Sequence, residues 1–449
     1  MLSFKQAVIP VITMAVLILL SVLFWDAPIQ IALFFEVMII IALALIWGYK
    51  WEKIEEMLFS SFRNIGNVIL ILFLLGMMIA LWIAVGTVPT MIYYGLKIIN
   101  PKYFFILSFI STSMVSMAVG TAVGTASTIG LALISIAQTM GLNLPLAAGA
   151  IISGSYVGDR MSPVSSIAII TAHSADTKVM DMIYHMVKTA VLPYVITSLS
   201  FLIIGLINFS DNAAAADLNR LSSLLSDYFN ISIWMLLPPL LIIILSLLRT
   251  ATILNIAVNI IFTLSMGMFF TERSWSELLN IMFRGFNNKT EILFIDNILA
   301  RGGLTGMLEL ISLIIFAVLL GGLLEQMGVL NSLLNPFLHL IKNKLHLIST
   351  TVFAGVASAA LGCNQFLAVF LPAKMLENKY AEMKVKKVDL ARALGDSGLI
   401  FSPLIPWNVN ALMMTAVLGV STAEYFPYAF FPLLIPVSNI FVTYIEERN

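Results

Sequence analysis

A series of long, uninterrupted apolar segments constrains this chain more than any other feature of its sequence. A membrane-spanning helix needs about 20 predominantly apolar residues. Eight segments meet this requirement: residues 7–25, 29–47, 67–85, 185–207, 231–248, 254–270, 307–325 and 426–444. They are continuous, unlike the roughly 10-residue alternating stretches of a membrane barrel. The pattern therefore predicts an all-α polytopic membrane protein.

Composition supports this prediction and argues against several classes of function. Of the 449 residues, 60% are hydrophobic and 11% are charged, whereas soluble domains carry roughly 25% charged residues. Basic and acidic residues balance, which argues against a nucleic-acid partner. The single cysteine, Cys363, precludes an intramolecular disulfide, and four scattered histidines form no metal-ligand pattern.

The sequence also lacks the signatures of a soluble or processed protein. The first residues run directly into an apolar segment without a small-residue cleavage pattern, so we expect a membrane helix there instead of a removed signal peptide. We find no nucleophile–base pair and no phosphate-binding loop. We therefore expect a protein embedded in the lipid bilayer that is not an enzyme and uses no cofactor.

Sequence elements recur in the same order in the two halves of the chain. Residues 51–64 line up with residues 275–288, and both stretches are amphipathic. Further matches pair Gly158-Asp159 and Ser162-Pro163 with Gly395-Asp396 and Ser402-Pro403, and Pro193-Tyr194 with Pro427-Tyr428. The order predicts two homologous repeats, residues 1–209 and 231–449, joined by a linker at 210–230.

The distribution of charge indicates that the repeats are inverted. Lys374, Lys379, Lys384, Lys386, Lys387 and Arg392 make the loop 373–392 the most basic one, and basic loops are cytoplasmic. The equivalent loop 138–145 carries no charge, and the linker holds Asp211, Asp217 and Asp227 against Arg220 alone, so we expect the linker outside. Equivalent loops on opposite sides define an inverted repeat.

Four apolar stretches, 103–137, 144–172, 346–371 and 390–418, are rich in Gly, Ser, Thr, Asn and Pro, so we expect their helices to break. One layout fits: each repeat has three spans, a re-entrant hairpin (103–137 or 346–371), a broken span and a final span. This gives about ten transmembrane spans with both termini cytoplasmic. The stretch 272–289 is then outside, despite Arg273, Arg284 and Lys289.

The first hairpin is a candidate cation site. Its glycines, Gly120 and Gly124, allow the chain to turn within the membrane, and the freed carbonyls with the hydroxyls of Thr121 and Thr125 can replace water around Na⁺. The alternative is close helix packing, because Gly120 and Gly124 also form a small-residue packing pattern.

Asp159 follows an apolar run and precedes Pro163, which predicts a carboxylate at a helix break in the membrane. One carboxylate that binds either Na⁺ or H⁺ produces exchange, since the two cannot occupy it together. The neighbouring Arg160 offers an alternative, a structural ion pair. We include the hydroxyls of Ser162 and Ser165 as candidate ligands.

Asp396 is the symmetry partner of Asp159 and the second Na⁺ candidate. Ser397, Ser402 and Asn408 follow it, and Asn364 at the tip of the second hairpin can offer an oxygen facing it. Helix capping by Asn408 and an interfacial position for Trp407 are open alternatives. Glu36, in the second span, is either a proton relay or, while protonated, a partner in an interhelical hydrogen bond.

Several of these motifs resemble the NhaC-type Na⁺/H⁺ antiporters. The resemblance rests on residues 86–96, Gly120-Thr with Gly124-Thr, 148–153 with 158–163, 362–366 with Leu371-Pro372, and 396–398 with 402–408. It implies the ion-transporter superfamily fold, in which a scaffold domain supports a transport domain with two hairpins and two broken helices. It also implies elevator-like movement, frequent homodimers and a location in the cytoplasmic membrane.

The same resemblance implies exchange of Na⁺ for H⁺, and some members of the superfamily exchange organic anions such as malate and lactate. This sequence departs from the family at 164–170, where Val-Ser-Ser-Ile-Ala-Ile-Ile replaces a run with an acid and an amide, and at Gly395, where the family usually has Glu. Transport of a small carboxylate or an amino acid coupled to Na⁺ or H⁺ is therefore the alternative.

Overall fold

The computed structural model describes residues 2–25, 27–63, 65–208, 226, 228–248, 250–286 and 302–448, and these residues contain helices and no β-strand. The charged residues used to place the linker, Asp211, Asp217, Arg220 and Asp227, lie outside the described residues. The same holds for Asn64 and Asn288, which end the aligned amphipathic stretches, and for Lys289.

The described α-helices of the first half are α1 Phe4–Leu23, α2 Ile29–Ile46, α3 Trp51–Arg63, α4 Gly66–Val85, α5 Thr87–Ile98, α6 Phe104–Val119, α7 Ala122–Thr125, α8 Leu131–Thr139, α9 Leu144–Met161, α10 Ser166–Ser174 and α11 Val179–Asn208. A π-helical turn, Ala126–Gly130, joins α7 to α8.

The described α-helices of the second half are α12 Leu237–Leu247, α13 Thr252–Phe270, α14 Trp275–Arg284, α15 Leu308–Gln326, α16 Val329–Leu338, α17 Lys344–Gly362, α18 Gln365–Glu382, α19 Lys387–Leu394, α20 Val409–Leu418, α21 Thr422–Tyr425 and α22 Phe430–Arg448. A π-helical turn, Gly395–Leu399, follows α19. The 3₁₀ turns are Pro101–Tyr103, Ile233–Leu236, Thr305–Met307, Ser402–Leu404 and Phe426–Tyr428.

The predicted polytopic membrane architecture is confirmed. Each of the eight apolar segments lies largely within helix. Within the described residues, nine helical segments are long and apolar enough to cross a membrane, and bent pairs raise this number to as many as eleven. Some of the nine are arms of the predicted hairpins, so length alone does not separate a span from a re-entrant arm. The inverted topology and the side on which each terminus lies stay predictions.

Helices break within each of the four stretches in which the sequence predicted a break. Helix α6 ends before Gly120, which adopts a left-handed conformation (φ 75°), and the chain resumes as α7. Helix α17 ends before Cys363, which has φ 53°, and α18 begins two residues later. Helix α9 ends at Met161, and the pair Lys387–Leu404 and Val409–Leu418 is bent by 49°.

Helix α9, the first part of the broken span 144–172, packs closely against α6. Gly154 and Gly158 lie in this contact, and a Cβ atom at Gly158 would overlap the backbone of Ser116. The hydroxyl of Ser116 donates to the carbonyl of Ser155 across the same contact. Small residues permit such close approach between membrane helices. Helix α9 therefore presents its last turn at the level of the α6 break.

The two amphipathic helices are present as α3 and α14. Helix α3 buries Ile54 and Met57, and α14 buries Leu278 and Ile281, while their other faces are largely exposed. One aligned pair differs, however. Pro193 lies inside α11, whereas Pro427 lies in a 3₁₀ turn before α22. Sequence matching at that pair therefore joins residues in unlike local structures.

Candidate functional site

Asp159 lies where three breaks in the helical structure meet. It belongs to the last turn of α9 and is 7% exposed. Its Oδ1 accepts a hydrogen bond from the backbone N–H of Ala122 (3.2 Å), the first residue of α7. Its Oδ2 accepts from Nε2 of Gln365 (3.0 Å), the first residue of α18. The tips of both predicted hairpins thus converge on one carboxylate.

Gln365 was not among the residues that the sequence analysis singled out. It follows Cys363 in its left-handed conformation and Asn364 in an extended one, and this turn directs its amide to Asp159. The same Nε2 donates to the carbonyl of Leu399 (3.3 Å). Asn364 instead caps α18, since its Oδ1 accepts from the N–H of Phe366 (2.8 Å).

Two serines stabilise the break after Asp159. The hydroxyl of Ser165 donates to the backbone carbonyl of Asp159 (2.7 Å), and its oxygen accepts from the N–H of Ala168 to cap α10 (3.3 Å). The hydroxyl of Ser162 donates to the carbonyl of Met117 in α6 (2.8 Å). Both serines satisfy backbone groups that the broken helices leave unpaired.

The four predicted residues of the first hairpin lie at its break. A Cβ atom at Gly120 would come within 2.9 Å of the N atom of Ser165, so the left-handed glycine also permits close chain approach. Thr121 precedes α7, and the hydroxyl of Thr125 donates to the carbonyl of Thr121 (2.9 Å). Gly124 belongs to the short helix α7.

A polar cavity of about 260 Å³ adjoins this hairpin. Gly120, Thr121, Gly124 and Ser127 line one side of it, and Asn255 of α13 lines another. Asn255 is 5% exposed and donates to the carbonyl of Ile242 (3.2 Å), whereas its Oδ1 has no hydrogen-bond partner among the described residues. Residues with hydroxyl side chains and a buried asparagine therefore line the cavity.

Asp396, the second predicted Na⁺ ligand, is paired with Arg160 in this structure. Its Oδ1 accepts from Nε of Arg160 (2.6 Å) and from Nη2 of the same residue, and its Oδ2 accepts from the hydroxyl of Thr189 (2.7 Å). Both charged side chains are fully buried. A guanidinium neutralises this carboxylate in the structure, and binding of Na⁺ by Asp396 stays a prediction.

Comparison with known proteins shows the family to which this sequence belongs. A sequence model of the Na⁺/H⁺ antiporter family matches residues 154–445, a range that includes both Asp159 and Asp396. This chain belongs to the Na⁺/H⁺ antiporter family. The family confirms the resemblance noted in the sequence, and it makes the chain a multi-pass membrane transporter.

Individual members of the antiporter family cover most of this chain. The malate-2H⁺/Na⁺-lactate antiporter of Bacillus subtilis is 32% identical over 92% of this chain and 88% of its own length. The Na⁺/H⁺ antiporter NhaC of Alkalihalophilus pseudofirmus is 33% identical over 88% of this chain and 85% of its own. The arginine/ornithine antiporter ArcD of Halobacterium salinarum is 26% identical over 97% of this chain and 90% of its own length.

The remaining predicted residues of this antiporter-family chain stabilise its second broken helix. The hydroxyl of Ser397 donates to the carbonyl of Leu394 (2.9 Å), and that of Ser402 donates to the carbonyl of Leu399 (2.8 Å). Asn408 caps α20, as the alternative reading of its sequence expected, and its Nδ2 donates to the carbonyl of Ala359 (2.8 Å).

Trp407 and Glu36 each make a side-chain hydrogen bond, although Oε2 of Glu36 has no partner among the described residues. The indole N–H of Trp407 donates to the carbonyl of Ala360 (2.7 Å), so this side chain contacts the second hairpin. Glu36 is 1% exposed, and its Oε1 accepts from the hydroxyl of Thr13 on α1 (2.8 Å). The interhelical hydrogen bond expected for Glu36 is therefore present.

Proposed function

We propose that this transporter exchanges Na⁺ for H⁺ across the cytoplasmic membrane, and that Asp159 binds the two ions in turn. One observation carries the proposal: Asp159 is buried, it is contacted by Ala122 and Gln365 from both hairpin tips, and these contacts are neutral donors. Within the described residues, Asp159 forms no ion pair. A buried carboxylate without a counter-ion is costly unless it binds a cation or a proton.

The ion pair between Arg160 and Asp396 supports this assignment. Arg160 is the next residue after Asp159 and is the obvious counter-ion, but its guanidinium is engaged by Asp396. The arrangement removes a permanent positive charge from Asp159. A transported ion must then supply the charge, and Na⁺ and H⁺ exclude each other because they use the same oxygen atoms.

The proposal includes an elevator-like movement of the site. The groups that meet at Asp159 come from α7, α9, α18 and the turn Gly395–Leu399, which pack on one another. Movement of this group as one unit would carry the bound ion without exposing Asp159 to both sides. We also propose the inverted repeat, cytoplasmic termini and a homodimer, as the charge pattern and the resemblance imply.

Purified protein in liposomes tests the exchange. We expect Na⁺ added outside to collapse an imposed pH gradient, and Asp159→Asn to abolish this response. Asp176→Asn is the matched control, because Asp176 is an exposed carboxylate in the turn after α10 whose partner is Lys387. The proposal fails if Na⁺ has no effect on the gradient at any pH.

Exchange of a small organic solute is the second candidate function. The polar cavity of about 260 Å³ beside Thr121 favours it, because a bare Na⁺ needs far less space. Relatives named as malate/lactate and arginine/ornithine antiporters fit the same idea. Solute-dependent Na⁺ flux across a panel of carboxylates and amino acids would support it, and flux that is unchanged by every solute would reject it.

A further inference from the structure

The side-chain amide of Gln365 lies between two oxygen atoms that belong to different elements. Its Nε2 donates to Oδ2 of Asp159 (3.0 Å) and to the backbone carbonyl of Leu399 (3.3 Å). One acceptor is a carboxylate in the first half, and the other is a carbonyl in the second. A donor group between a carboxylate oxygen and a carbonyl oxygen marks a position that also suits a hard cation.

The Leu399 carbonyl belongs to irregular backbone. Leu399 ends the π-helical turn Gly395–Leu399, within which Ser397 leaves helical geometry (φ −120°, ψ −113°). The same carbonyl accepts from the hydroxyl of Ser402 (2.8 Å). Irregular backbone in a membrane protein is tolerated where it is buried or lines a cavity, and its carbonyls can replace the hydration shell of an ion.

We propose that Gln365 is a ligand of the transported Na⁺, together with Oδ2 of Asp159 and the carbonyl of Leu399. This inference rests on the proposed exchange at Asp159. A carboxamide carries a donor and an acceptor on one planar group, so rotation by about 180° replaces the NH₂ with the carbonyl oxygen. The rotated carbonyl oxygen then takes the place of the NH₂, and the cation lies between this oxygen and the two that the NH₂ now bridges.

The same rotation serves the protonated form. When Asp159 carries a proton, its hydroxyl donates to the rotated amide oxygen of Gln365, which restores the contact between α9 and α18. The ionised carboxylate instead accepts from the NH₂ group, as in this structure. Gln365 therefore holds the second hairpin against Asp159 in each state, and its orientation follows the occupant of the carboxylate.

Two substitutions separate this ligand role from simple packing. Gln365→Leu preserves the approximate volume but removes the amide, so we expect the apparent KM for Na⁺ to rise about tenfold or more, as for loss of one contact to a charged group. Gln365→Glu keeps an oxygen ligand and adds a second carboxylate. We expect this variant to retain Na⁺ exchange and to become sensitive to inhibition by Ca²⁺ or Mn²⁺, because paired carboxylates favour divalent ions.

Gln326→Leu is the matched control. The amide of Gln326 also donates to two acceptors on another element, the carbonyl of Met57 (3.1 Å) and the hydroxyl of Ser60 (3.0 Å), and these lie in α3. We expect its KM for Na⁺ to match that of the wild type. Thermal stabilisation by Na⁺ in detergent gives a second readout, since a ligand that binds the folded state raises its melting temperature.

The outcomes distinguish the two proposals. If the wild type exchanges Na⁺ but Gln365→Leu has an unchanged KM and an unchanged Na⁺-induced thermal shift, the ligand role is wrong and the exchange at Asp159 stands. If Gln365→Leu does not fold, Gln365→Glu decides: insensitivity to Ca²⁺ and Mn²⁺ overturns the role. If the wild type does not respond to Na⁺, the proposed exchange itself fails.

Discussion

Arg160 donates through Nε to Oδ1 of Asp396 at 2.6 Å, which joins residues 236 positions apart in the sequence. Both side chains are fully buried, and Thr189 donates to the other carboxylate oxygen at 2.7 Å. The pair connects the end of the first broken helix to the turn within the second. Two aspartates that the sequence places in equivalent positions therefore have different partners.

Asp396→Asn tests the structural role of this pair. The substitution leaves the guanidinium of Arg160 buried without a counter-ion, so we expect a loss of about 3–5 kcal/mol in stability. The thermal unfolding midpoint of the detergent-solubilised protein measures it. Replacing both residues, in Arg160→Met with Asp396→Leu, should recover much of that loss. Equal stability of Asp396→Asn and the wild type would contradict the assignment.

Gly158→Ala tests the contact between α6 and α9. The added Cβ atom overlaps the backbone of Ser116, which cannot rotate away as a side chain could. We expect a destabilisation of roughly 1–3 kcal/mol and weaker Na⁺ binding, because α9 must shift beside Asp159. Gly306→Ala is the control, since a Cβ there meets no atom of the described residues within 4 Å. If Gly158→Ala unfolds like the wild type and binds Na⁺ with the same affinity, the proposed need for a glycine in the contact between α6 and α9 is refuted.

Asp176 provides a pH-dependent contact outside the membrane-spanning segments. A hydrogen bond and the charge of Lys387 lower the pKa of Asp176 below its ordinary value of 3.8. A lowered pKa in the folded state means that the contact stabilises the fold above pH 3.8 and is lost as the pH falls through the lowered value.

Transport measured between about pH 5 and 9 should therefore not depend on the titration of Asp176, because its carboxylate stays ionised throughout. We expect the pH profile of Asp176→Asn to coincide with that of the wild type in the liposome assay. A displaced profile would show that this exposed residue contributes to proton coupling.

Much of the fold follows from local sequence, because membrane helices are specified by runs of apolar residues and their breaks by Gly and Pro. The break at Gly120 and the burial of Asp159 were predicted on these grounds. The sequence did not predict which side chains pair in the folded protein. Neighbouring amides, Asn364 and Gln365, have similar chemistry, and the left-handed turn at Cys363 decides which one reaches Asp159.

Sequence symmetry does not specify which side chains pair or what local structure surrounds them. Asp159 and Asp396 occupy matching motifs, which predicted two equivalent ion ligands. Arg160 follows Asp159 directly, but its long side chain reaches across to Asp396, and only the packing of the two halves determines that direction. Pro193 and Pro427 also match in sequence but lie in different local structures, since a proline can lie within a helix or in the turn before one.

The central claim is that Na⁺ and H⁺ compete for the single carboxylate of Asp159. The most direct measurement is the apparent KM for Na⁺ as a function of pH on the same side of the liposome membrane. Competition predicts that KM rises about tenfold for each unit by which the pH falls, once the carboxylate is mostly protonated. The rate at saturating Na⁺ should stay unchanged. A KM that is independent of pH, or a fall in the saturated rate alone, would contradict it.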